Sequence, residues 1–175
     1  RNHSSAASDV YKRQDLLKLC QYHDLLAERG VSEETCDRLG IGYLPQGRSP
    51  LKGRIVFQVR DARVTKQSEG AREPVILSHL GRSVDGSEPK YLFYQGFHKS
   101  SELYGQELVW LDAEAAAQIA ATKAIVLAEG PFDVAKAFEA GIRNLVGSFG
   151  ASLSVTQARK LRNMERRSHR DDAHY

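Results

Sequence analysis

The sequence predicts two successive architectures, an α+β N-terminal region and then an α/β region whose sheet is at least partly parallel. Three observations carry this reading. Two helical patterns precede residue 41, β-branched runs occupy residues 53–59 and 75–80, and the order strand, helix, strand, helix fills residues 124–163.

Taken in order, residues 1–14 are polar and aperiodic and are read as a non-native or disordered tail. From Asp15, an N-cap residue, Leu16, Leu17, Cys20, Leu25 and Leu26 recur at helical spacing. Arg29 then supplies a cationic last turn and Gly30 a terminating glycine, which together predict one helix. Ser32 caps a second, shorter helix with Glu33 and Glu34 at its positive end, and Gly40 closes it. Past Pro45, Gly47 and Pro50 the pattern changes to strands at Gly53–Val59 and Val75–Leu80, which are expected to pair. The polar segment 61–73 between them is too long for a tight hairpin and predicts an exposed excursion with a mobile tip. Residues 81–109 read as irregular, with Arg82, Lys90 and Lys99 set among Tyr91, Tyr94, Phe97 and Tyr104.

The second half has clearer punctuation. Asp112–Thr122 is Ala-rich and helical, and Ala124–Ala128 is a short apolar run of the buried parallel type. Pro131 stands at a helix start and Gly141 just past its end, the order in which those two residues favour a helix between them. A strand over Asn144–Ser148 and a helix from about Ser154 to Asn163 complete a right-handed βαβ beginning. The predicted divisions are therefore a tail at 1–14, a basic N-terminal region at 15–111, an α/β region at 112–163, and an atypical end at 164–175.

Composition narrows the function classes without choosing one. The chain is 41% hydrophobic and 27% charged with a net charge of +3, too small to establish an anionic partner but compatible with a local basic face. No apolar run approaches the roughly 18 residues of a membrane span, and the first residues lack a secretory apolar core, so a cytoplasmic location is expected. Cys20 and Cys36 form no C-x-x-C pair and the histidines are scattered, so neither a disulfide framework nor a structural zinc site is expected.

Chemistry concentrates in two places. Glu129 follows a parallel strand where the chain turns into a helix, the position at which open α/β sheets bind ligands. Asp133, one turn further on, is placed to share a divalent cation with it. The competing roles are plainer: a solvated strand-end acid and a carboxylate complementing the helix dipole. In the irregular segment, Arg82, Lys90 and Lys99 alternate with aromatics, the combination that neutralises phosphates and stacks on unpaired bases. Aromatic packing and solvated lysines are the alternative there.

Eight ordered stretches share one resemblance: RGVSEET at 29–35 with RLGIGY at 38–43, GRIVF at 53–57 with VRDA at 59–62, Gly81-Arg82, EPKYL at 88–92, FHKSSELYG at 97–105, and VLAEGPFDV at 126–134. Over about residues 25–162 the chain resembles the RNA polymerase core of bacterial-type DNA primases, and VLAEGPFDV resembles the first motif of the Toprim fold. The resemblance implies a basic N-terminal subdomain followed by an α/β Toprim-like domain that is incomplete at the C-terminus. It also implies primer synthesis from ribonucleoside triphosphates on a single-stranded DNA template, with Mg²⁺ or Mn²⁺ as cofactor and a replicative helicase as a partner of the family. Carried across, Glu129 matches the Toprim glutamate and metal ligand and Asp133 the following aspartate. Arg82, Lys90, Tyr91 and Lys99, with Arg38 as a weaker match, fall at positions expected to bind nucleic acid or nucleotide.

The sequence departs from the family at Pro131, which replaces a tyrosine, at Phe93–Gly96, and in having no D-x-D pair of strand carboxylates. The zinc module that precedes the family's core is also missing. A fragment that is catalytically silent is therefore expected. The rival readings are a non-catalytic single-stranded nucleic-acid binder and another Toprim enzyme, a topoisomerase or a nuclease.

Overall fold

The computed structural model describes residues 16–66, 72–94 and 96–171, and these residues form two compact units. Among the described residues, the first unit comprises 16–59, 76–94 and 96–97; the second comprises 60–66, 72–75 and 98–171. Residues 98–111, assigned on sequence to the N-terminal region, thus cluster with the second unit. The predicted tail, the tip of the 61–73 excursion and the last four residues lie outside the described residues.

In the first unit the predicted helix from Asp15 to Gly30 is broken. A 3₁₀ turn at Leu17–Leu19 gives way to extended backbone at Cys20, and helix α1 spans only Asp24–Glu28. The cause is a long-range contact: Gln21 and Tyr43 exchange backbone hydrogen bonds of 2.9 and 2.7 Å, which outweighs the helical spacing of the leucines. His23 restarts the helix, its Nδ1 accepting from the Leu25 N–H at 3.0 Å. Helix α2, Glu33–Leu39, forms as predicted. Ser32 Oγ accepts from the Thr35 N–H at 3.2 Å, and Gly40 at φ 69° supplies the left-handed exit.

A strand that the sequence reading did not foresee follows at once. Strand β1, Ile41–Leu44, pairs antiparallel with β2, Arg54–Lys66, in the register Ile41 to Phe57 and Leu44 to Arg54. Strands β3, Arg72–Ser83, and β4, Tyr91–Phe93, complete a sheet of order β1-β2-β3-β4. The predicted pairing of the two long strands is present, but both run into the segment expected to be a loop. Leu16, Leu44, Leu51 and Val56 form a buried cluster against which Leu17, Leu92 and Tyr94 pack. Each side chain fully buried in this way stabilises the unit by roughly 1.5–3 kcal/mol.

The second unit contains helices α3, Gln106–Leu111, and α4, Ala113–Thr122, then β5, Val126–Ala128, α5, Pro131–Glu139, β6, Leu145–Gly147, and α6, Val155–Asp171. Asp112 separates the first two helices, its Oδ1 accepting from the N–H groups of Glu114 and Ala115. Strands β5 and β6 are parallel, as predicted. Two expectations need correction. Val126 and Leu127 are each 43% exposed rather than buried, because β5 pairs only with β6 among the described residues. The last helix continues to Asp171, through most of the segment read as an atypical end.

Leu103, Val109, Ile119, Val146 and Met164 form this unit's core. Gly105 permits the close packing beneath it. At φ 77° it adopts a conformation few residues tolerate, and a Cβ there would stand 3.2 Å from Val134 Cγ1. Among the described residues, no helix is long and apolar enough to cross a membrane.

Candidate active site and nucleic-acid interface

The C-terminal end of the parallel strands presents Glu129 on a fixed backbone. The Gly150 N–H donates to the Glu129 carbonyl at 3.1 Å, and the Ser148 N–H donates to Ala128 at 2.9 Å. Ser148 Oγ, with one proton to donate, stands 2.7 Å from the Gly150 carbonyl and 3.2 Å from that of Ala128. Between them Phe149 is held at φ 61°, its ring buried edge-on to Tyr104 at 6.2 Å. Only the Glu129 peptide is engaged in this way; its side chain is exposed. The sequence reading missed Ser148, Phe149 and Gly150, whose importance depends on β5 and β6 being neighbours.

Asp133 sits on the first turn of α5, also exposed, and its Oδ2 accepts from the Gly130 N–H at 3.1 Å. One of its oxygens therefore completes the helix start, the plainer of the two roles open on sequence. The exposed Glu129 carboxylate and the other Asp133 oxygen are hard donors of the type Mg²⁺ accepts, and that ion needs only one or two carboxylates beside water and phosphate oxygens. Among the described residues, no group of three His, Cys, Asp or Glu side chains stands ready to hold a metal.

The basic residues divide between the units. In the first unit, Arg82 on β3 lies directly opposite Tyr91 on β4, with its guanidinium carbon 5.6 Å from the ring centroid. Lys90 adjoins this pair and is exposed; its N–H donates to Glu88 Oε2 at 2.9 Å, and its carbonyl accepts from the Ser83 N–H at 3.1 Å. Arg38 is exposed in the last turn of α2. Nearby, hydrogen bonds from Ser87 and Ser83 hold the Asp85 carboxyl down at about 2.

Lys99 belongs to the second unit, where it opens an exposed 3₁₀ turn at Lys99–Ser101. That turn is tied down by Gln157, which is 1% exposed and whose Nε2, with two protons to give, stands within hydrogen-bond reach of the carbonyls of Lys99, Glu102 and Ser148 at 3.1, 2.9 and 3.0 Å. Lys160 pairs with Glu102 and donates to Gln106 Oε1 at 3.1 Å, extending the same network. Of the other aromatics in the segment, Tyr104 is 2% exposed and packs internally, Tyr94 lies against the first core, and Phe97 stacks on Phe93 at 5.8 Å. Among these aromatics, Tyr91 is the one that stands against Arg82.

A buried acid escaped the sequence reading. Glu107 on α3 is 5% exposed, and its Oε2 has no hydrogen-bond partner among the described residues. Burial raises its carboxyl from 4.5 to about 7, with Arg60 opposing the shift and Asp61 adding to it.

No family model matches the chain. Individual proteins do. The chain is 32% identical over 149 residues to a DNA primase of Staphylococcus aureus, an alignment covering 79% of this chain and 22% of that protein. A DNA primase of Borreliella burgdorferi is 27% identical over 135 residues, covering 77% of this chain and 23% of the relative. Over most of its length the chain is similar to bacterial-type DNA primases.

The fold agrees with that similarity. The RNA polymerase domain of Mycobacterium tuberculosis primase DnaG superposes with a TM-score of 0.66 at 19% identity, covering 94% of this chain and 62% of that one. A DnaG primase catalytic domain bound to ssDNA superposes with a TM-score of 0.56 at 24% identity, covering 79% of this chain and 51% of that one. The primase-like chain spans between about a fifth and a third of the length of the curated relatives it matches.

Proposed function

We propose that this chain is part of an enzyme that synthesises RNA primers on single-stranded DNA, a DNA-directed RNA polymerase of the primase type. The observation that carries the reading is Glu129, an exposed carboxylate on a hydrogen-bonded peptide at the end of a parallel strand, in a chain aligned with primases over most of its length. In the reaction a primer 3′-hydroxyl loses its proton and attacks the α-phosphorus of a ribonucleoside triphosphate. A new P–O bond forms and the bond to pyrophosphate breaks.

A divalent cation, Mg²⁺ or Mn²⁺, would be held by Glu129, and when bound it supplies Lewis acidity at the reacting oxygens. Glu129 acts through its carboxylate, which the fixed strand end keeps from retreating into the fold. Asp133 has the lesser role, because its Oδ2 is committed to the Gly130 N–H. The resemblance implies a D-x-D pair that would add ligands to Glu129, and these 175 residues contain none.

Template and nucleotide binding falls to Arg82, Lys90, Tyr91 and Lys99, with Arg38 as the weaker match. The single-stranded DNA held by a structural neighbour supports this assignment, as does the exposure of Lys90 beside the Arg82–Tyr91 pair. In this reading the two compact units are the family's basic subdomain and the beginning of its Toprim domain. A replicative helicase would be the partner of the complete protein. Primase relatives favour this reading over a topoisomerase, a nuclease or a non-catalytic binder.

The test uses the complete protein on a single-stranded DNA template with Mg²⁺. Glu129→Gln should abolish primer synthesis and leave template binding intact. Synthesis at the unaltered rate would remove Glu129 from the chemistry.

A further inference from the structure

A buried cation in the first unit has no role in the site as described. Arg54 stands at the start of β2 opposite Leu44 and is 9% exposed. Its Nη1 donates to the Pro89 carbonyl at 2.7 Å, linking positions 35 residues apart. The stem of the side chain passes over Gly81 on the way. A Cβ built at Gly81 would stand 2.9 Å from Arg54 Cδ and 3.1 Å from Arg54 Cβ, so any larger residue at 81 would obstruct the arginine's path.

Burying a guanidinium costs solvation that a methionine or leucine of similar volume would not lose. Something must therefore depend on the hydrogen bond. Proline has no N–H, so the carbonyl is the one main-chain group through which residue 89 can be tied by a hydrogen bond. Arg54 takes that group, and a charged donor makes the bond stronger than a neutral one would. The peptide it holds leads directly into Lys90 and Tyr91, and the glycine it crosses directly precedes Arg82. Both contacts of the side chain thus bear on residues flanking the cation–aromatic pair.

We propose that Arg54 is a positioning residue for nucleic-acid binding, acting through Pro89 to fix Lys90 and Tyr91 at a set distance from Arg82. The proposal rests on the reading of those three residues as nucleic-acid contacts. Arg54 works from beneath the surface and does not itself touch the phosphates.

The test measures binding of the 175-residue chain to a labelled mixed-sequence 20-nucleotide single-stranded DNA by fluorescence anisotropy over a salt series, with circular dichroism on every variant. Arg54→Met keeps the stem and removes the donor, and should weaken binding about five- to tenfold. Arg54→Lys, which retains a donor, should recover part of that loss. In a Lys90→Ala/Tyr91→Ala background, Arg54→Met should have no further effect.

If Arg54→Met instead weakens binding by the same factor in that background, and the salt slope falls by about a further 0.7, Arg54 contacts phosphate directly and the proposal is overturned. A folded Arg54→Met chain that binds normally overturns it as well. Should Arg54→Met fail to fold, Gly81→Ala decides, since it presses on the stem and leaves the charge in place. Weakened binding that vanishes as an effect in the double-alanine background supports the proposal, and unchanged binding refutes it. No binding by the unaltered chain would instead overturn the nucleic-acid reading, and the role of Arg54 with it.

Discussion

The β5–α5 turn and the β3–β4 hairpin present their chemistry in opposite ways. At the turn the backbone is fixed and the candidate reactive group is exposed: Gly150 and Ser148 engage the peptides around Glu129 while its carboxylate faces solvent. At the hairpin the side chains are themselves engaged, with Arg82 over the Tyr91 ring and Arg54 reaching beneath to Pro89. An exposed group on a fixed backbone suits a single chemical step. Groups that lean on one another suit a binding surface, whose affinity is shared and declines by degrees.

The largest effect expected from this contrast is at Glu129. In the complete protein Glu129→Gln should eliminate primer synthesis, yet its thermal stability should stay within roughly 0.5 kcal/mol of the unaltered protein because no packing is lost. A large drop in melting temperature would show that the carboxylate is structural.

Glu107 sharpens the comparison by being the reverse case, an acid enclosed by the fold. Its folded carboxyl titrates at about 7 against an ordinary 4.5, so the folded state retains a proton that the unfolded state has released. This contribution to stability is fully present below pH 4.5, is lost progressively as pH rises, and is gone above about 7. Melting curves between pH 4.5 and 8 should show the unaltered chain losing stability over that window relative to Glu107→Gln. Parallel pH profiles for the two proteins would remove Glu107 as a titrating group.

Smaller and graded effects belong to the hairpin and to Lys99. Tyr91→Ala should cost roughly 1–3 kcal/mol of single-stranded DNA affinity if the ring stacks on a base, with little change in salt dependence. Lys90→Ala and Lys99→Ala should each lower the salt slope by about 0.7, one phosphate contact apiece, and weaken all sequences alike. Lysine variants that bind with unaltered slope would make those residues solvated surface.

What could be read from the sequence was what neighbours in sequence decide. Ser32 and Gly40 bracket α2, and Pro131 and Gly141 bracket α5, because caps and helix ends are settled within a few residues. The position of Glu129 between a strand and a helix was legible for the same reason. The break at Cys20 was not legible, since it depends on Tyr43, and neither was β1, whose partner lies beyond the Pro50 turn. Nothing local marks Glu107 as buried or Arg54 as the anchor of a peptide 35 residues away. The run Ala124–Ala128 misled in the other direction. Its composition predicts burial on both faces, but among the described residues β5 has a neighbouring strand on one side only.

The division between a chemical turn and a binding hairpin is tested most directly by measuring primer synthesis and template binding on the same samples of the complete protein, for Glu129→Gln and Tyr91→Ala. The account predicts that Glu129→Gln binds single-stranded DNA as the unaltered protein does and makes no primer. It predicts that Tyr91→Ala binds more weakly and recovers synthesis when the template concentration is raised. Loss of binding in Glu129→Gln, or a Tyr91→Ala protein whose synthesis stays absent at saturating template, would contradict it.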